Sequence, residues 1–202
     1  TWFPQKGEID ALQTYIQTTG KTNVVIMYDE DPFRFMVADL FRTSASSKGL
    51  RLAKEYKFPI GYSDFRTHIV KLKSLKADGV YVALAPDMRV RFLKQAREQG
   101  LNIQVYGTAD TQDESVLKQF GPVMNGIIYT YPHTTGSYDM FVQKYRAKYN
   151  AEPQGPSAAN SYDAAHAIIA ALTEHYKNGT GLKTALEGIH IPGIVVKEIT
   201  FD

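Results

Sequence analysis

The residues best suited to chemistry in this 202-residue chain stand in one short run, Asp29-Glu30-Asp31, directly after the apolar run Asn23-Val24-Val25-Ile26-Met27-Tyr28. Crowded carboxylates at a strand end can hold a magnesium ion or accept a phosphoryl group. Other chemistries lack their residues. There is no Cys, which removes disulfides, thiolate metal sites and thiol nucleophiles together. The five histidines, His68, His133, His166, His175 and His190, have no zinc-ligand spacing. A dinucleotide-binding enzyme needs glycines after its first strand, so that the backbone can approach a pyrophosphate. Here that turn is Asp29-Glu30-Asp31-Pro32-Phe33, without Gly and with excess negative charge. No phosphate-cradling Walker sequence and no G-x-S-x-G elbow occurs. Asn178-Gly179-Thr180 has the form of a glycosylation sequon but reads as a turn.

Composition bounds the partners. The net charge is +2, and basic residues alternate with acidic ones, so no nucleic-acid arm is present and no nucleic-acid partner is expected. Thirteen Tyr and ten Phe are too many for a disordered chain. No apolar stretch is long enough to span a bilayer as a helix. The chain opens on Thr1-Trp2-Phe3 without a leader pattern and closes on the strand-like Ile199-Thr200-Phe201-Asp202, so both ends read as cut.

The elements that must position these groups alternate. Helical spacing marks 8–19, with Gly20 as its stop, and a buried strand is predicted over 23–28. A helix at 33–47 follows, then a strand at 50–58. A helix over 64–76 is predicted to be capped by Ser63. Strands follow at 79–84, 103–106 and 126–130, with helices at 87–99 and 114–120 between them. Such alternation implies βαβ units, a parallel sheet and right-handed crossovers that put helices on both faces. After residue 131 the pattern changes to helices over 138–149, 157–177 and 182–187, with at most a terminal strand to cover. The fold class is therefore α/β: a parallel-sheet βαβ lobe with helices on both faces, plus helices belonging to a second, incomplete lobe. Residues 1–21 are expected to belong to the first lobe and hinge entry, 22–131 to the α/β lobe, and 132–202 to returning helices and a terminal strand of the first lobe.

Several runs resemble the type I periplasmic solute-binding proteins, and among them the leucine/isoleucine/valine-binding receptors of ABC transporters. They are Val24-Val25-Ile26-Met27-Tyr28-Asp29, Tyr62-Ser63-Asp64-Phe65, Ala77-Asp78-Gly79-Val80-Tyr81-Val82 and, most specific, Phe92-Leu93-Lys94-Gln95-Ala96-Arg97-Glu98-Gln99-Gly100-Leu101. Tyr145-Arg146-Ala147-Lys148-Tyr149, Ser161-Tyr162-Asp163-Ala164 and Ile199-Thr200-Phe201-Asp202 follow in the family's order. The resemblance implies a bilobed receptor whose lobes close over a solute, with chain crossings near 20–22 and 131–137.

In parallel sheets, ligands bind beyond the carboxyl ends of the strands. Those ends are 29–33, 85–87, 108–111 and 131–133. Carried over by resemblance, Phe33 stands where amino-acid binders often have Tyr, keeping the ring and losing the hydroxyl. Ala85, followed by Pro86, stands where an aromatic wall is common. The family's ammonium-holding acid aligns with Ala109, and Asp110 is one residue later. The candidate ligand-binding residues are thus Asp31, Phe33, Ala85, Pro86, Ala109, Asp110 and Tyr131. Each has a second reading. Asp31 reads first as a helix cap. Phe33 is first-turn core or pocket wall, and Asp110 is ligand contact or loop solvator. Tyr131 and His133 read first as packing at a crossing.

The resemblance implies an extracytoplasmic receptor, periplasmic or extracellular, that delivers a small polar or amphipathic solute (amino acid, amide or small carboxylate) to a membrane-bound ABC permease. It implies no cofactor, no catalysis and a monomer at full length. Two other readings stand beside it. The same fold serves sensor domains of regulators and receptors, and the acidic run alone would suit a receiver-like domain or an acidic-site enzyme.

Overall fold

The computed structural model describes residues 5–112, 114–131, 136–153 and 155–201. These fall into two compact units, one formed by the described residues up to Tyr131 and one by those from Gly136 onward.

The first unit is built on five parallel strands: β1 (Asn23–Asp29), β2 (Arg51–Phe58), β3 (Gly79–Ala83), β4 (Gln104–Gly107) and β5 (Ile128–Tyr129). Their spatial order is β2-β1-β3-β4-β5. β1 is central and buried on both faces, which explains its unbroken apolar run. β2 is an edge strand, and it exposes the basic residues Arg51, Lys54 and Lys57 with partly buried pairs between them.

Alternation along the strands sorts side chains between two cores. Val25, Met27, Val80, Val82 and Val105 face helices α3 (Arg66–Ser74), α4 (Pro86–Glu98) and α5 (Glu114–Met124), through Phe65, Ile69, Leu72, Phe92, Leu93 and Met124. Val24, Ile26, Tyr28, Tyr81 and Ala83 face α1 (Gln5–Thr18) and α2 (Pro32–Ala45), through Leu12, Ile16, Val37 and Phe41. The sequence expectation put residues 1–21 with the first lobe, with a crossing near 20–22. The structure instead packs α1 on this sheet, because Ile9, Leu12 and Ile16 are buried against β1 and α2. Gly20 stops α1 and Gly100 stops α4, each in the left-handed conformation that favours glycine.

Ser63 is not the cap of α3. That helix starts at Arg66, and the side chain of Gln95 from α4 does the capping work: Oε1 accepts from the Phe65 amide at 2.6 Å while Nε2 donates to the Ser63 carbonyl at 2.7 Å. Gln95 takes the place expected of Ser63, while Asp64 Oδ1 accepts from the Arg66 amide at 3.2 Å.

The second unit contains α6 (Gly136–Tyr149), α7 (Gly155–Asn178), α8 (Leu182–Glu187) and an antiparallel pair, β6 (Ile191–Pro192) with β7 (Glu198–Ile199). The expected terminal strand at 199–202 is therefore shorter and earlier, and it has a partner that two residues of pattern do not announce. Asp163, buried in α7, accepts from the Ile194 and Val195 amides and fixes the loop that leads into β7. The expected crossing at 131–137 lies largely outside the described residues.

Candidate ligand-binding edge

The strand order reverses between β1 and β3: the chain leaves β1 for β2 on one side and returns to β3 on the other. The carboxyl edge at such a switch point is where open parallel sheets bind ligands. Asp29, at the end of β1, is 1% exposed. Its Oδ2 accepts from the Ala85 amide at 2.7 Å and its Oδ1 from the Asp31 amide at 3.0 Å. This carboxylate ties the loops of the two strands across the switch point.

The other two acids of the run turn elsewhere. Glu30 pairs with Lys57 at 3.3 Å. Asp31 caps α2, accepting from the Phe33 amide at 3.0 Å and the Arg34 amide at 3.3 Å, with Pro32 in the first turn where its missing N–H costs nothing. Glu30 turns away to Lys57, and Asp29 and Asp31 are taken up by backbone amides, so the three carboxylates do not form the open cluster that the receiver-like alternative needs. Among the described residues no group of three or more His, Cys, Asp or Glu is placed to hold a metal.

Phe33 is 38% exposed at the first turn of α2, so it is not core. Ala85 sits at the N-cap of α4 with Pro86 next, and neither carries a polar side chain to the edge. One turn on, Arg89 is 0% exposed. Its Nη1 donates to Asp110 Oδ1 at 2.9 Å and Thr108 Oγ1 at 3.2 Å, and its Nη2 donates to the Asp110 carbonyl at 3.3 Å. Thr108 Oγ1 also donates to Asp110 Oδ1. Asp110 lies in a 3-10 turn over Ala109–Gln112, with Ala109 half-buried beside it.

Arg34 joins the two loops. Its side chain, 17% exposed, meets Asp29 Oδ2 at 3.6 Å, Asp31 Oδ1 at 3.1 Å and Asp110 Oδ2 at 3.6 Å. Its Nε is buried without a hydrogen-bond partner. Glu8, on the first turn of α1, completes the set. One of its carboxylate oxygens is buried without a partner. Burial, then the negative charge of Asp110, push its carboxyl up to about 7. The Tyr81 hydroxyl is pushed up too, by burial first and then by Asp110 and Glu8.

Of the residues chosen from sequence, Asp31 and Asp110 are brought together, with Arg34 between them. Ala85 joins through its backbone and Ala109 through its turn. Tyr131 follows β5, whose place in the strand order is three spacings, about 14 Å, from β1. His133 lies outside the described residues. Sequence reading missed Arg34, Arg89 and Glu8. Arg89 carried a signal: it shares the buried face of α4 with Phe92, Leu93 and Ala96 at i+3, i+4 and i+7, and a charge in that register needs a partner.

No described helix is long and apolar enough to cross a membrane. The periplasmic binding protein family profile matches residues 2–202. A Leu/Ile/Val-binding protein homolog 7 from Brucella suis biovar 1 is 24% identical over 179 residues, covering 83% of this chain and 45% of the relative. The chain thus spans about half the length of the curated relatives it matches. An ABC transporter substrate-binding protein from Sphaerobacter thermophilus superposes with a TM-score of 0.81 at 22% identity, over 98% of this chain and 56% of that one. A leucine binding protein from Thermotoga maritima gives 0.80 at 20% identity, over 99% and 59%. A solute binding protein from R. palustris in complex with benzoate gives 0.77 at 17%, over 98% and 56%. With the profile matched along nearly its whole length and the switch-point sheet in place, this chain belongs to the periplasmic binding protein family.

Proposed function

We propose that the protein carrying this chain is an extracytoplasmic receptor, and not an enzyme, that captures a small polar or amphipathic solute at the carboxyl edge of the sheet. In this reading 22–131, with α1, is the ligand-binding lobe. Residues 132–202 return to the other lobe, which closes over the solute. Hinge closure of periplasmic binding proteins is a general example of such motion. The loaded receptor then docks on an ABC permease in the membrane, as a monomer in the periplasm or outside the cell.

One observation carries the reading: within a chain of this family, polar groups converge at the switch point on a rigid frame. Asp29, Asp31, Arg34, Arg89, Thr108 and Asp110 come from four different segments and are held by one another before any solute arrives. Pre-set polar groups orient a solute at low entropic cost. The relatives' names include leucine and benzoate binders, so amino acids, amides and small carboxylates are the classes to test. Asp31, Phe33, Ala85, Pro86, Ala109, Asp110 and Tyr131 remain the proposed lining, with Arg34 added.

The test is a thermal-shift screen of the full-length gene product against small solutes, followed by calorimetry on the hits. Saturable one-to-one binding that weakens when Asp110 is replaced supports the reading. A folded protein that binds no solute in a broad library would sink it.

A further inference from the structure

Two Asn-Gly pairs occur in the chain, Asn125-Gly126 and Asn178-Gly179, and the structure treats them oppositely. In such a pair the glycine nitrogen can close on the asparagine side chain, because no Cβ stands in its way. Asparagine is thermolabile for this reason. Asn178 ends α7, where its Nδ2 donates to Glu174 Oε2 at 2.7 Å and the Gly179 N–H donates to the His175 carbonyl at 2.9 Å. The group to be attacked and the nitrogen that must attack it are both tied to the helix.

Asn125 is exposed, in the turn between α5 and β5. The turn hydrogen bond runs from the Ile127 amide to the Met124 carbonyl at 3.3 Å and passes over Gly126, whose N–H has no partner among the described residues. Arg97 of α4 grips the same turn: Nη1 donates to the Pro122 carbonyl at 2.6 Å and Nη2 to the Asn125 carbonyl at 2.7 Å. That carbonyl belongs to the peptide group that Asn125 shares with Gly126. When the Gly126 nitrogen loses its proton, negative charge spreads onto the Asn125 oxygen, where the guanidinium already points. Arg97 therefore makes the attacking nitrogen easier to form, and Gln104 Nε2 steadies the Gly126 carbonyl at 2.7 Å.

We propose that Asn125 is a site of spontaneous deamidation promoted by Arg97, and that the fold protects Asn178. The Gly126 nitrogen gives its proton to water and bonds to Asn125 Cγ. The bond from Cγ to Nδ2 breaks, and ammonia leaves with a proton returned by water, closing a succinimide ring. A second water then opens either ring carbonyl, giving aspartate or isoaspartate. Either product places a new carboxylate at this turn. Isoaspartate also adds a methylene to the main chain ahead of β5, which is held to β4 only through the pairs Tyr106 with Ile128 and Gly107 with Tyr129. The inference is independent of the receptor reading above.

In the experiment, full-length protein is aged at mildly alkaline pH, folded and in urea, and its proteolytic peptides are followed by mass spectrometry. In the folded protein the Asn125 peptide should gain the mass of amide-to-acid conversion about tenfold faster than the Asn178 peptide. In urea both glycine amides are released, and the two rates should come within about threefold of each other. Arg97→Gln should slow conversion at Asn125 by about threefold or more, leave Asn178 unchanged and keep the melting temperature close to wild type. Arg97→Met, which keeps the apolar stem and removes the donors, is the second variant should the first not fold. Equal rates in the folded protein, faster conversion at Asn178, or a tenfold difference that persists in urea overturns the inference. So does an unchanged or faster rate at Asn125 in a folded Arg97 variant.

Discussion

Asp29 Oδ2 accepts the backbone N–H of Ala85 at 2.7 Å, joining the end of β1 to the loop after β3. The same carboxylate takes the Asp31 amide. Both bonds are to a buried carboxylate, which would itself be left without water if they were lost. Asp29→Ala should lower the unfolding free energy by about 2–3 kcal/mol in urea titration. It should also weaken solute binding, because both loops lose their anchor. Unchanged affinity in a folded Asp29→Ala protein would detach this anchor from the site.

Arg89→Met leaves Asp110 with the Thr108 hydroxyl, Arg34 and solvent as its remaining partners. Breaking a fully buried pair commonly costs about 3–5 kcal/mol, but Asp110 is 32% exposed, so about 1–3 kcal/mol is expected. The double variant with Asp110→Asn should cost less than the sum of the singles. A double-mutant cycle by chemical denaturation reads this directly, and strict additivity would count against the pairing.

Glu8 sets one pH dependence. Its folded-state carboxyl is raised from 4.5 to about 7, so the folded state holds the proton more tightly. Its contribution is fully present below 4.5 and is lost as pH rises through about 7. At about 1.4 kcal/mol per unit the whole shift is roughly 3 kcal/mol, and solvent screening of this half-exposed group halves it. Glu8→Gln should flatten the stability profile over that window.

His68 works in the opposite direction. It packs edge-on against Tyr56 and Phe58 at 5.0 and 4.9 Å. Burial, then the charge of Lys71, lower its pKa below the ordinary 6.5. Stability from neutral His68 is present above 6.5 and is lost as pH falls through the lowered folded value. The wild-type profile is therefore partly cancelled between Glu8 and His68. In His68→Phe the decline caused by Glu8 should stand out in urea titrations at stepped pH.

A Cβ at position 107 would lie 2.4 Å from Thr111 Oγ1 and 3.2 Å from Ile127 Cγ2. Gly107→Ala must therefore move the turn that carries Thr108 and Asp110. A cost of about 1–3 kcal/mol is expected, with a larger loss of solute affinity than stability alone explains. Equal affinity in this variant would show that the turn's position is not critical.

The sequence by itself determined the alternation of strands and helices, the burial of β1 on both faces and where the carboxyl edge of the sheet lies. Those follow from period and apolar run length, which each segment carries locally. It also marked Asp31 as a cap, because the capped amides are two and three residues away. Only the tertiary structure decided which distant groups meet. Gln95 displaces Ser63 as the partner of α3, α1 joins the sheet, and Arg34 and Arg89 pair with Asp110, which the sequence offered as ligand contact or loop solvator. The physical reason is that a charge leaving water must find a partner, and strand order chooses that partner. Asp29 and Ala85 are 56 residues apart in sequence and one hydrogen bond apart because β1 lies beside β3.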